Sequence, residues 1–209
     1  MTARILSLTV ALTLLANSGL PPTPAEDLKS EIQQDIVVFA TKPIDLTTAG
    51  WALGRFEQVG LDLPAVEIRF HNDKERCGGS GENYGVWRTR SESSDIIEMC
   101  TNRGFHVLHE LAHAWADATL TVDDRAAFAE LRGLAGWTGT DMPWETKAVE
   151  HAANIIAWGL YGEPQIRVAK TMRADTLSSL TQAFEFLTGF TPPSQRDKLD
   201  SNVDFASFG

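Results

Sequence analysis

Basic residues are scarce in this chain: 18 Lys and Arg stand against 28 Asp and Glu, a formal net charge of -10 over 209 residues. A surface that grips nucleic acid needs a basic stripe to neutralise phosphates, so that class of partner is excluded. Long apolar runs are missing too, apart from Ile5 to Ala16. That run is too short to span a bilayer, follows the basic start Met1 to Arg4, and gives way to polar, turn-forming residues. It has the form of a signal-peptide core, with a small-x-small cleavage point at Ala16-Asn17-Ser18 and a weaker one at Thr23-Pro24-Ala25. The expected layout is a signal peptide over residues 1–18 (cleavage as late as 25), one domain over 26–191, and a loosely held tail over 192–209. The product would be secreted or extracytoplasmic, with no membrane contact once the leader is gone. Internal repeats and low-complexity stretches are absent, and 43% hydrophobic residues suffice for one sizeable core.

Cysteine is rare as well, with Cys77 and Cys100 the only two. An even pair in an exported chain reads first as a disulfide. The bridge would close a loop containing Gly78, Gly79, Gly81 and Gly85 and stabilise the fold by about 3 kcal/mol. The alternative is Cys100 as a metal ligand, which oxidation would prevent by removing the thiolate.

Leu28, Ile32 and Ile36 recur at steps of four, which predicts a helix over Glu26–Phe39. A second helix is expected from Thr47 to Val59, after Pro43. Alternation and β-forming residues mark Ala65–Phe70, Gly85–Thr89 and Asp95–Met99 as strands. Beyond Arg103 the pattern turns helical, over Phe105–Ala118, Val122–Leu134, Trp144–Leu160 and Thr176–Leu187. Strands early and helices late predict an α+β domain, a small sheet followed by a mostly helical half.

Histidine is the scarce residue that carries the chemistry. Of five in the chain, His106, His109, His113 and His151 fall in two of these predicted helices. In His109-Glu110-Leu111-Ala112-His113 the two histidines are four apart, so on a helix both rings can aim at one ion. Phe105, Leu108, Ala112 and Trp115 form an adjoining apolar stripe that can bury the helix. Glu110 lies further round the same side, and a carboxylate there suits metal-assisted hydrolysis, in which the ion acidifies water and a base takes the proton. The implied cofactor is one Zn²⁺ ion.

A catalytic zinc site needs a third protein ligand. In the helix from Trp144, Glu150 and Asn154 stand four apart beside the small residues Ala153 and Ala157, which allow close approach of a second helix. The HELAH element followed by Glu-x-x-x-Asn resembles the gluzincin group of metallopeptidases, within the zincins. That resemblance covers His109 to Trp158 and implies a zincin-like fold, peptide or protein substrates, Glu110 as catalytic base, and His109, His113 and Glu150 as zinc ligands. It puts Asn154 where the family has an Asp that orients a ligand histidine, a weaker support because Asn brings no charge. The same stretch is similar to a type of small exported actinobacterial protein of unassigned substrate. Glu145 and Asp141 stay open as alternative third ligands. Glu145 falls in the first turn, where the helix dipole alone favours an acid, and Asp141 makes a good N-cap.

Tyr84, His106, His151 and Tyr161 are the candidates for stabilising an oxyanion. Trp115, Trp137, Trp144 and Trp158 cluster around the motif helices and read first as core, second as a substrate pocket. In many zincins an edge strand pairs with an extended substrate, a part open here to Gly85–Thr89 or Asp95–Met99. Two other functions fit the same ligands: hydrolysis of a non-peptide or cell-wall amide, and a secreted interaction protein whose metal is structural.

Overall fold

The computed structural model describes residues 28–33, 35–77, 84–89, 94–161 and 175–193. The expected leader, Gly78, Gly79, Gly81 and the tail beyond residue 193 lie outside them. The fold is α+β. Strands β1 (Leu28–Gln33), β2 (Ile36–Ala40), β3 (Val66–Phe70), β4 (Gly85–Arg88) and β5 (Asp95–Met99) form one sheet in the order β1-β2-β3-β5-β4. The central β2, β3 and β5 are parallel, and β1 and β4 run antiparallel at the two edges.

Period-two burial builds the inner face of this sheet. Ile36, Val38 and Ala40 alternate with less buried neighbours on β2, and Val66, Ile68 and Phe70 do the same on β3. The register sets Ile68 between Val38 and Ile97, and Phe70 beside Met99. Gly85 and Trp87 pair with Met99 and Ile97, so they face the same side. That side receives the helices α1 (Pro43–Val59) and α2 (Gly104–Thr119). Behind them come α4 (Ala148–Tyr161) and α5 (Leu177–Thr188), with α3 (Val122–Leu131) alongside.

Three elements depart from the sequence reading. Glu26–Phe39 was expected as a helix, whereas β1 and β2 form an antiparallel pair there. A step of four is also an even step, so Leu28, Ile32 and Ile36 suit alternation as well as helix. Ile36, Val37, Val38 and Phe39 then tip the choice towards a strand, being β-branched or aromatic. Helix α1 begins at Pro43 rather than Thr47. Proline is accommodated in the first turn because its missing N–H has no partner there, and Asp45 accepts the Lys42 N–H at 3.0 Å. The helix expected from Trp144 opens as a separate 3-10 turn over Trp144–Thr146, and α4 proper starts at Ala148.

Cys77 and Cys100 are joined, which removes Cys100 from the possible metal ligands. The bridge ties the 3-10 turn after β3 to the end of β5. Among the described residues no helix is long and apolar enough to cross a membrane.

Candidate metal centre

Helix α2 carries its histidines into a packed environment. Leu108 and Ala112 are fully buried and Trp115 nearly so, which fixes the helix against the sheet and α4. His109, Glu110 and His113 are buried beside that stripe. On the Glu150 side of helix α4, which packs against α2, stand Ala153 and Ala157, both with no exposed surface. Their small side chains let α4 come close enough for Glu150 to reach both histidines.

The three ligand atoms make a nearly regular triangle. His109 Nε2 and His113 Nε2 are 3.1 Å apart, and Glu150 Oε2 lies 3.3 Å from the first and 3.4 Å from the second. A tetrahedral ion with Zn–N and Zn–O bonds of about 2.0–2.1 Å separates its ligands by about 3.3–3.4 Å. The donor set therefore fits a metal ion in size as well as chemistry. No family model, curated protein or solved structure matches the chain.

The geometry of the triangle also sets protonation. His109 Nδ1–H donates to Asn154 Oδ1 at 3.1 Å, which fixes the ring with Nε2 turned into the triangle. Burial pushes the Glu150 carboxyl up, but the hydrogen bonds from His109 and His113 outweigh it and hold the group well below the usual carboxylate range. The cluster presents one anion and two imidazoles, and it can hold a cation.

Glu110 is no part of the triangle but lies within its field. Its carboxyl is pushed up to about 7, first by burial; His109 opposes this, Glu150 adds to it, and a hydrogen bond with the Trp87 backbone opposes it. A general base works best with a pKa near the operating pH. The carboxylate lies under β4, where a Cβ on Gly85 would come within 2.7 Å of Glu110 Cγ. Trp87 ends on the other side of the site, its ring parallel to that of His113 at 5.9 Å between centroids.

Of the sequence candidates, His109, His113 and Glu150 come together, with Glu110 beside them and Asn154 behind His109. Glu145 and Asp141 do not join: both are exposed, and Asp141 lies upstream of the 3-10 turn instead of capping α4. His151 Nε2–H donates to the Glu145 carbonyl at 2.8 Å, a bond that holds the 3-10 turn to α4. Tyr161 packs edge-on between Trp51 and Phe105. Tyr84 stacks on His106 at 4.4 Å, one helical turn before His109. Burial, then the positive charges of His109 and Arg103, pushes His106 down to about 4. Trp115 and Trp158 are core residues, Trp137 is half-buried, and Trp144 is exposed. The sequence offered Gly85–Thr89 as a docking strand, but did not place Gly85 and Trp87 beside the ligands. A glycine opening a strand of β-formers hints at close backbone approach, but nothing local pairs Trp87 with His113.

Proposed function

We propose that the chain is a secreted zinc-dependent hydrolase that cleaves amide bonds, with peptides as its substrates. The observation that carries this reading is the buried triangle of His109, His113 and Glu150 with the Glu110 carboxylate beside it. His109, His113 and Glu150 would hold a single ion and leave room on it for water. Bound there, Zn²⁺ would acidify water and polarise a carbonyl. Glu110, buried beside the triangle, takes the proton and later delivers it to the departing nitrogen. Asn154 keeps the His109 ring in its ligating tautomer.

The sheet supports one strand as the place for an extended substrate. Strand β5 is paired on both sides, by β3 and β4, which rules it out as a docking edge. Among the described residues β4 pairs with β5 alone, so its outer edge is free to bond an extended peptide. The disulfide accords with an oxidising, extracytoplasmic location.

The test is metal stoichiometry together with hydrolysis of a mixed peptide library. Wild type should bind one zinc and cleave peptides. Glu110→Gln should keep zinc and lose cleavage, Glu150→Ala should lose both, and Glu145→Ala should lose neither. Zinc retained in Glu150→Ala would remove Glu150 from the site. A zinc protein inert on peptides but active on cell-wall amides would move the substrate class. A function indifferent to Glu110→Gln would make the metal structural.

A further inference from the structure

The two ligand histidines are supported differently. His109 is fixed through its second nitrogen by Asn154 at 3.1 Å. His113 Nδ1 is buried and, among the described residues, has no hydrogen-bond partner. Ligand histidines ordinarily owe their ring orientation to such a partner. What faces His113 is the Trp87 indole, inclined by only 13° at 5.9 Å between centroids, an offset stack. The indole is itself held, because its Nε1–H donates to Asp95 Oδ2 at 3.0 Å. Trp87 pairs with Ile97 across β4 and β5, and Asp95 precedes Ile97 by two positions, so it lies on the same face of the sheet.

We propose that Trp87 is a positioning residue for His113, and that Asp95 holds the indole in place to do it. The proposal rests on reading the triangle as a metal site. An imidazole that shares its Nε2 lone pair with a cation becomes electron-poor, and the negative face of an indole attracts such a ring. Trp87 therefore favours the ligating state of His113 over a ring turned away. The strand at the sheet edge thus backs the ligand ring whose Nδ1 has no hydrogen-bond partner among the described residues. A purely packing role for Trp87, which also touches the core, would change stability and leave metal affinity alone.

The experiment measures Zn²⁺ and Co²⁺ affinity by competition with a chromophoric chelator, with the visible absorption of the Co²⁺ adduct as a report on ligand geometry. Trp87→Leu should weaken binding about 10-fold or more and alter the Co²⁺ spectrum. In a His113→Ala background it should change the residual affinity no further. Asp95→Ala should also weaken binding, and Asp95→Asn should restore it, since the amide oxygen accepts the same indole N–H. Folded Trp87→Leu with wild-type affinity and spectrum would overturn the proposal. If Trp87→Leu does not fold, the Asp95 pair decides: equal affinities in Asp95→Ala and Asp95→Asn overturn it. Wild type that binds neither ion sinks the metal reading and this one together, whereas wild-type binding with indifferent variants sinks the positioning role alone.

Discussion

A methyl group at position 85 would lie 2.7 Å from Glu110 Cγ and 2.8 Å from Oε1, so Gly85→Ala has to displace the carboxylate or the strand. A shift of about 1 Å in a reacting group can cost roughly 100-fold in rate. On the proposed hydrolytic reading, Gly85→Ala should therefore lower kcat by about that factor with zinc stoichiometry unchanged, because the proposed ligands belong to α2 and α4. Steady-state kinetics beside metal analysis checks it, and an unimpaired kcat would mean that Glu110 need not stay where β4 holds it. The same contrast shows how much of the site was legible in the sequence. His109, Glu110 and His113 share one helix, so their geometry follows from spacing alone. Glu150 and Asn154 share another, and the alanines beside them announce close approach. Gly85 and Trp87 meet that site only through strand pairing with β5, a relation no local pattern records.

At the scale of elements, the disulfide governs the strand that shapes the site. Cys77 and Cys100 are 23 positions apart, and the loop between them contains all of β4. Cys100 N–H also donates to the Tyr84 carbonyl at 2.9 Å, so the bridge end is tied to the residue that leads into β4. Closing a loop of this length restricts the unfolded chain by about 3 kcal/mol. Replacing both cysteines by serine should lower the unfolding free energy by that amount, which urea titration checks. An unchanged midpoint would show that the sheet holds β4 unaided. Strand β3 and helices α2, α4 and α5 were readable because each has a single consistent period, alternate burial in the strand and one apolar face in the helices. The first hairpin was not, because a step of four satisfies helix and strand alike. The 3-10 turn before α4 was hidden for another reason: the His151 bond to the Glu145 carbonyl that fastens it joins two successive elements.

For the molecule as a whole, the groups around the site make stability depend on pH in opposing directions. His106 titrates near 4 when folded and near 6.5 otherwise. Between those values the unfolded chain binds the extra proton, so this group destabilises the fold as pH falls from 6.5 towards 4. Glu110 acts the other way: with its pKa raised from 4.5 to about 7, the folded chain holds the extra proton, and stability falls as pH rises through that window. The lowered pKa of Glu150 adds a loss only in stronger acid. The measured curve of the metal-free protein should thus be flatter between pH 4.5 and 6.5 than either group alone would make it. His106→Phe separates the two, since phenylalanine keeps a ring against Tyr84 but cannot take up a proton between Arg103 and His109. Relative to metal-free wild type, the metal-free variant should gain stability as pH drops from 7.5 to 4.5, by about 2 kcal/mol after allowance for solvent screening. Denaturant titrations of both proteins across that range measure the gain. A difference that stays constant with pH would mean that His106 is as readily protonated in the folded chain as in the unfolded one.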